Sequence, residues 1–239
     1  MCGFESRAHA ESVVRSLVAD DEGHPSLVSE IASTIGAEIV EGIIEPGQDL
    51  NTVEVSRRYA TSRTPVREAL LLLNKEGLVD IEPRRRPRAH APTISEVREI
   101  YRARIALFEI IAADLAARAT AADIRILAEV LDRMRAAVAS GDVRRYIWLT
   151  VEFHDKASVM SGNSTAKRIN DSLLLRTISL RRISVGSSDR LRESLDDHFH
   201  LLRAYERHDA ILAAAILRSN HIRGLATVEA HYQRFGTLK

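Results

Sequence analysis

Apolar residues recur at intervals of three and four along most of this chain of 239 residues. One clear run, which would share one face of a helix, is Leu127, Leu131, Met134 and Val138. Alternation of apolar and polar residues, the pattern of a half-buried strand, is confined to a short stretch around residue 80. Only 11 glycines and 6 prolines interrupt the chain. The pattern therefore predicts a mainly α-helical protein.

The composition excludes several classes of protein. Cys2 is the only cysteine, so neither an intramolecular disulfide nor a cysteine-based zinc module can form. No apolar run approaches the roughly 18 residues that cross a bilayer, which predicts no membrane partner. Residues 1–24 carry several acids and lack the apolar core of a signal peptide. The expected location is the reducing cytoplasm.

The net charge of +1 conceals an uneven distribution of charge. Residues 1–50 carry two arginines against ten acidic residues, whereas residues 51–92 carry nine arginine or lysine residues against five acidic ones. A short basic stretch within a nearly neutral chain favours contact with a polyanion. The alternative is an ordinary solvated surface, and the spacing of the arginines decides between the two interpretations.

Two helices are predicted before residue 60. Ser26 is of a type that caps helices, and the apolar stripe of the helix that follows consists of Leu27, Ile31, Ile35 and Ile39. Pro46 and Gly47 end this helix and turn the chain. A second, short helix is predicted over residues 53–59.

A third helix is predicted from about Pro65, which a first helical turn tolerates because its missing N–H has no intrahelical partner. Ser62 or Thr64 is the expected cap. The buried face of this helix should contain Val66, Ala69, Leu70 and Leu73. After Gly77, a C-cap candidate, residues 78–81 alternate like a strand. The basic tip at 83–87 and a returning strand at 88–91 then complete a hairpin.

Three helices followed by a hairpin make a winged helix-turn-helix, in which the second motif helix enters the DNA major groove. Arg63 and Arg67 lie four residues apart, so they project from the same side of that helix. The guanidinium fork matches the edge of guanine, and Ser62 and Thr64 suit phosphates at the helix start. Sequence-independent attraction to the backbone is expected from the wing residues Arg84, Arg85, Arg86 and Arg88.

Residues 93–239 are predicted to be helical almost throughout. Six helices are expected, with glycine breaks at Gly141, Gly162 and Gly186 in three of their short connections and no strand pattern, which indicates an antiparallel all-α bundle. His154, His198 and His221 fall at apolar helical positions on three different helices, so all three are expected to point inward. Inward imidazoles suit a divalent metal such as zinc, although any single one is more often a core residue.

The segment from Ser62 to Leu70 (SRTPVREAL), together with Gly77-Leu78-Val79 and the earlier residues 46–50, resembles the DNA-binding domain of the GntR superfamily of bacterial transcription regulators. The resemblance implies a double-stranded DNA operator that is read through Arg63 and Arg67. It also implies a glycine at the wing tip, where this chain has Arg86.

The second half of the chain resembles the FCD effector domain found in the FadR subgroup of that superfamily. The residues that carry the resemblance are Glu109, Phe153-His154, Ser194 to Asp197-His198 and His221-Ile222. It implies a helical bundle that forms a homodimer and binds a small-molecule effector, typically an organic acid, with Arg104 pairing with the anion. It also implies a metal held by His154, His198 and His221. A carboxylate or amide normally precedes the first histidine by one turn, and here that position is Thr150. The spacing leaves open whether Asn220 or His221 faces the site.

The expected protein is a ligand-responsive, dimeric DNA-binding regulator and not an enzyme, and repressor is favoured over activator by the habit of the family alone. Its predicted parts are an N-terminal extension at 1–24 with no match, which is either flexible or a short helix through Val13-Val14 and Leu17-Val18, a DNA-binding domain at 25–92 and an effector domain at 93–239. One alternative is a metal-dependent hydrolase that uses the three histidines. Another is a DNA-binding dimer without an effector.

Overall fold

The structure is a computed structural model, and it describes residues 10–16 and 26–236. The described chain divides into two compact units. The first extends to Thr93 and includes Leu174–Ser179, and the second comprises Ile94–Leu173 and Leu180–Gly236. Of the extension predicted over residues 1–24, only 10–16 fall within the described residues.

The first unit contains four helices and a two-stranded hairpin among the described residues. Their bounds are α1 over residues 10–16, α2 Leu27–Val40, α3 Thr52–Arg58, α4 Arg63–Lys75, β1 Val79–Asp80 and β2 Arg88–Ala89. The order of helices and hairpin confirms the predicted winged helix-turn-helix. The strands are shorter than expected, since residues 78, 81, 90 and 91 lie outside them.

Helix α2 begins as its sequence predicts, because the Ser26 side chain accepts a hydrogen bond from the Ser29 amide. Ile31 and Ile35 of the predicted stripe are buried. Leu27, by contrast, is 42% exposed, because it is the first residue of the helix, beyond the edge of the core. The buried Glu38 carboxylate accepts two hydrogen bonds from Arg58, at 2.9 and 2.5 Å, and this ion pair joins α2 to the end of α3.

Helix α1 packs against α2. Ala10 and Val14 are fully buried, although nothing in the sequence marks this stretch as part of the DNA-binding fold. A short helix around Val13 and Val14 is therefore confirmed, whereas its suggested continuation through Leu17 and Val18 falls outside the described residues. The contact with α2 is close: a β-carbon at Gly36 would lie 2.7 Å from Val14 Cγ1.

The hairpin is antiparallel, with Val79 opposite Ala89 and Asp80 opposite Arg88. Gly77 has a φ of +72°, the left-handed conformation that a residue ending a helix favours and that glycine adopts at least cost. The Asn74 side chain then donates to the Val79 carbonyl at 2.7 Å and fixes β1 to the end of α4. A bridge from Asp49 to Arg88 extends the pairing on the other side of β2.

The second unit is a helical bundle. Its helices are α5 Ile94–Arg118, α6 Ala121–Ala139, α7 Val143–Met160, α8 Ser164–Ile178, α9 Arg181–Ser184, α10 Ser188–Glu206 and α11 Ala210–Phe235, except that the end of α8 from Leu174 onward belongs to the first unit. Six of these correspond to the six predicted helices. The short α9 was not predicted, because four residues are too few to show a period.

Side-chain caps define where these helices start. Thr120 and Asp123 form a reciprocal capping box at α6. Asp142, Ser187 and Asp209 each accept a hydrogen bond from a backbone amide in the first turn of α7, α10 and α11. The bundle core that these helices enclose is centred on the fully buried Phe108, Tyr146, Phe153 and Tyr205.

Within the described residues, 10–16 and 26–236, no helix is both long and apolar enough to cross a membrane.

Candidate functional site

Helix α4 has one face in the core and the opposite face in solvent. Its buried residues are the four that the sequence predicts, Val66, Ala69, Leu70 and Leu73. Arg63 and Arg67 lie on the exposed face, and within the described part of the chain neither has an ion pair or a hydrogen bond through its side chain. Two guanidinium groups are thus available on one side of a helix that is anchored from behind.

The start of α4 is open. Ser62 occupies the N-cap position, but its side chain makes no capping hydrogen bond. A cap bonds the second or third amide of a helix, and because the third residue here is Pro65, which has no N–H, only the Thr64 amide remains as a possible partner. Thr64, the alternative cap, lies inside the first turn. Ser62 and Thr64 are both exposed.

The wing arginines differ in their surroundings. Arg85 pairs with Glu82 at 2.7 Å and Arg88 with Asp49 at 2.7 Å. Arg84 and Arg86 have no such partner among the residues that the structure describes. Arg84 also has a φ of +64°, so the left-handed residue of the tip is two positions before the one expected from the family pattern.

In the second unit, five helices bring a group of polar side chains together, and three of these side chains lie beside the ring of Phe108. We call this group the basic cluster, and it consists of Arg104 from α5, Thr150 and His154 from α7, Arg181 from α9, His198 from α10 and His221 from α11. The three histidines expected to point inward therefore do meet. The ring centroids of His154 lie 5.2 Å from His198 and 5.9 Å from His221.

Backbone carbonyls fix the tautomers of two of these rings. Nδ1 of His198 is 2.6 Å from the Ser194 carbonyl, and Nδ1 of His221 is 2.9 Å from the Leu217 carbonyl. Because a carbonyl only accepts, each Nδ1 carries the proton and each Nε2 is bare when the ring is neutral. His154 Nε2, 3.3 Å from His198 Nε2, is then the donor of that pair.

The histidines are held neutral. Burial lowers the pKa of His154 well below its usual range, and the neighbouring His198 and Arg181 lower it further. Burial likewise lowers the pKa of His198 to about 4 and that of His221 to about 3. The positive charge of Arg181 contributes to all three shifts, so its field reaches every imidazole of the cluster.

Two arginines line the same space. Arg181 Nη1 donates to the Thr150 hydroxyl at 2.8 Å, and that hydroxyl donates in turn to the Ile147 carbonyl at 2.6 Å. Arg104 is buried, donates to Asn170 at 3.2 Å and stacks over Phe108. Burial, and next the charge of Arg181, lower the pKa of Arg104 to about 9, so it stays charged at neutral pH.

The residues present do not fit a resident divalent cation. Two Nε2 atoms 3.3 Å apart are within the span of two ligands on one ion. The position where a carboxylate would neutralise that ion holds a hydroxyl instead, and this hydroxyl is bonded to a guanidinium. Across residues 10–16 and 26–236, no group of three or more His, Cys, Asp or Glu side chains is arranged to hold a metal. The described residues therefore do not support the metal that the sequence predicted.

The register of α11 is resolved in favour of His221. Its ring lies 4.6 Å from that of Phe108, inside the cluster. Asn220 turns towards α10 instead, where its amide donates to Asp197 at 2.6 Å and its carbonyl groups accept from Arg190. His200 is exposed, and His208 contacts the Ala116 carbonyl, so neither belongs to the cluster.

Sequence reasoning missed Arg181 and Tyr146. Tyr146 precedes Thr150 by one helical turn, and its buried hydroxyl, near Ser194, makes no hydrogen bond of normal geometry. The four-residue spacing from Tyr146 through Thr150 to His154 is a signal that was available. No comparable signal exists for Arg181, because it lies on α9, whose four residues are too few to show a helical period.

Comparison with known proteins agrees with this architecture. Residues 27–87 match the gntR family of bacterial regulatory proteins, and residues 99–224 match the FCD domain. The gluconate operon transcriptional repressor of Bacillus subtilis (strain 168) is 25% identical over 80% of this chain and 80% of its own length. The repressor RspR of Escherichia coli (strain K12) is 26% identical over 75% and 79%. YdhC, an HTH-type regulator of B. subtilis, is 29% identical, but the chain spans only 59% of its length.

Solved structures share the fold. McbR/YncC of E. coli superposes with a TM-score of 0.74 at 24% identity, over 87% of this chain and 100% of that one. A GntR transcriptional regulator from Rhodococcus sp. RHA1 gives the same TM-score at 20% identity, over 87% and 100%. Because the FCD match alone spans more than half of the residues, this chain belongs to the gntR family of bacterial regulatory proteins, in the group that carries an FCD domain.

Proposed function

We propose that this protein is a transcriptional repressor that reads an operator through α4 and its wing and that responds to a small organic anion bound in the second unit. The observation that carries the proposal is the exposed pair Arg63 and Arg67, without partners among the described residues, on a helix whose opposite face is buried. Relatives at about a quarter identity are described as repressors, which supports the direction of control.

The chemistry of α4 suits guanine-containing sites. Each arginine offers a planar fork of donors that matches O6 and N7 of guanine in the major groove. The exposed hydroxyls of Ser62 and Thr64 and the open amides at the helix start suit backbone phosphates. In the wing, Arg84 and Arg86 add attraction that does not depend on sequence.

We expect a homodimer because a single copy of α4 covers only a few base pairs of DNA. One chain carries one such helix, which reads a half-site of a few base pairs, whereas two copies read a palindrome with half-sites about one helical turn apart. Light scattering on the free protein and on its operator complex tests this step. A monomer that binds a single half-site at full affinity would contradict it.

The decisive experiment measures operator affinity. An operator selected from a random pool should contain guanines at symmetric positions, and Arg63→Ala or Arg67→Ala should weaken binding to it by about 1–3 kcal/mol. Arg57→Ala, an exposed arginine at the end of α3, is the matched control. Undiminished sequence-specific binding by the Arg63→Ala/Arg67→Ala double variant would reject the assignment.

A hydrolase that uses the three histidines is not supported. It needs a general base beside a bound water. The acids that flank His154 are engaged elsewhere, since Glu152 pairs with Arg133 and Asp155 with Lys167. The other alternative, a dimer without an effector, is separated from our proposal by titration with organic anions: a stable operator complex under all of them favours it.

A further inference from the structure

The basic cluster holds a fixed positive charge at Arg181. This guanidinium lies among neutral histidines and has no carboxylate within ion-pairing distance in the described part of the chain. Two acids whose charges act on this cluster are already paired elsewhere, Asp171 with Lys167 and Asp197 with Arg223. An unpaired guanidinium that protein surrounds is costly to keep, unless an anion completes it.

Arg181 is fixed in place and not merely nearby. Its guanidinium is enclosed by protein, and this burial lowers its pKa, although part of the side chain reaches solvent. The bond to Thr150 holds it one helical turn before His154. A donor fork oriented in advance by a neighbouring hydroxyl is the arrangement that binds a carboxylate with two parallel hydrogen bonds.

The imidazoles add a second requirement. His221 Nε2 is bare in the neutral tautomer and has no donor among the described residues. A bare nitrogen accepts from a hydroxyl and disfavours contact with a carboxylate oxygen, which is also an acceptor. The buried Tyr146 hydroxyl, without a normal partner, is a further polar group on the same face of α7. Guanidinium forks and a free acceptor together fit a ligand that carries both a carboxylate and a hydroxyl.

We infer that Arg181, held by Thr150, takes the place of a metal in this cluster, which binds a small hydroxycarboxylate directly and without a divalent cation. The inference rests on the proposed function only in treating this ligand as the effector. The inference makes two claims, that a hydroxycarboxylate binds and that no metal does. Both are tested on the free protein, so their outcome does not depend on DNA binding.

The test begins with the wild-type chain. Elemental analysis after growth in zinc-, nickel- and manganese-replete medium should find no stoichiometric metal. Thermal unfolding should be unchanged by excess EDTA or by each of these ions. A panel of glycolate, lactate, malate, tartrate and gluconate, each in EDTA, should contain a member that raises Tm by about 5 °C at saturation. The corresponding amide of that member should have no effect.

Variants then identify the anchor. Arg181→Gln should weaken binding of the active anion by about tenfold or more, the value of a charge-assisted hydrogen bond. Arg182→Gln, its exposed neighbour, should bind as the wild type does. The double variant Thr150→Asp/Arg181→Gln restores a carboxylate and removes the cation, so zinc should now raise its Tm.

Four results would overturn the inference: a stoichiometric metal in the wild type, an anion response that EDTA abolishes, no response to any member of the panel, or an unchanged response in Arg181→Gln. The first and second would leave the proposed regulator intact, with a metal in its effector site. Sequence-specific DNA binding of the wild type is measured separately. Its absence would reject the proposed regulator but would leave the conclusion about the ligand site unchanged.

Discussion

Val14 packs onto the bare Cα of Gly36, so that a β-carbon there would lie 2.7 Å from Val14 Cγ1 and 3.1 Å from Leu73 Cδ2. At this contact α1, α2 and α4 meet, so α1 is part of the core that holds α4 in place. The close approach is available only to glycine, which explains why a residue unfavourable to helices stands in the middle of α2.

We expect Gly36→Ala to destabilise the fold by about 1–3 kcal/mol, because overpacking outweighs the gain in helix propensity of about 1 kcal/mol. Urea denaturation measures the change. Gly224→Ala is the matched control, since that helical glycine has no neighbour closer than 3.5 Å, and it should be neutral or stabilising. Adding Val14→Ala to Gly36→Ala should recover part of the loss, and strict additivity of the two changes would contradict the contact.

The exposed arginines of the wing should affect how strongly DNA binding depends on salt concentration. Replacing Arg84 and Arg86 with alanine should reduce the dependence of log K on log[salt] by up to about 1.8 per protomer, since each phosphate contact contributes about 0.9. Base preference should be unchanged. Arg85→Ala should alter the slope less, because Glu82 already pairs with that guanidinium. Filter binding across a salt series measures the double variant and the three single variants Arg84→Ala, Arg85→Ala and Arg86→Ala. Equal effects at the three positions would show that the ion pair with Glu82 does not matter.

A separate prediction concerns the conformation of the tip. Arg84 has a φ of +64°, which costs a residue with a side chain about 1–2 kcal/mol relative to glycine. Arg84→Gly should therefore raise the stability of the free protein slightly while it weakens DNA binding. Arg86→Gly, at a position without positive φ, should lower both. Thermal unfolding and operator titration of the two variants give the comparison, and a less stable Arg84→Gly variant would show that the strain is absent.

Acid sensitivity follows from His198. Burial lowers its pKa to about 4, whereas an unfolded histidine has a pKa of about 6.5. The unfolded state therefore binds more protons between these values, so stability is full above pH about 6.5 and is lost as the pH falls towards 4. The slope in this window should be about 1.4 kcal/mol per pH unit for this histidine alone.

His198→Gln should show a shallower dependence of unfolding free energy on pH than the wild type, and His200→Gln, exposed on the same helix, should not. Urea titrations at a series of pH values between 4 and 7 measure the slopes. Identical slopes in wild type and His198→Gln would mean that the imidazole is not held neutral in the fold.

Periodicity was sufficient for the elements that bury one face. The core positions of α4, Val66 and Leu70 among them, follow from a spacing that only a helix satisfies. The inward direction of His154, His198 and His221 follows in the same way. The exposure of Leu27 does not, because periodicity says which residues share a face but not where the core stops.

The hydrogen bond from Arg181 to Thr150 could not be predicted from the sequence. The two residues are 31 positions apart, and their contact depends on how a four-residue helix packs against α7. The departure at Thr150 was visible as a missing ligand, but no pattern indicated that a guanidinium would bond to its hydroxyl. The left-handed Arg84 was hidden for a similar reason, because three consecutive arginines offer no local preference for one of them.

Without a side-chain cap, the start of α4 keeps free backbone donors in the isolated protein. The amides of Arg63 and Thr64 have neither an intrahelical acceptor nor the Ser62 hydroxyl to bond, and Pro65 has no N–H. In the proposed operator complex, a phosphate oxygen of the duplex would supply the acceptor that this helix end lacks. We therefore expect the first turn of α4 to become more rigid at the point of base contact when the protein binds its operator.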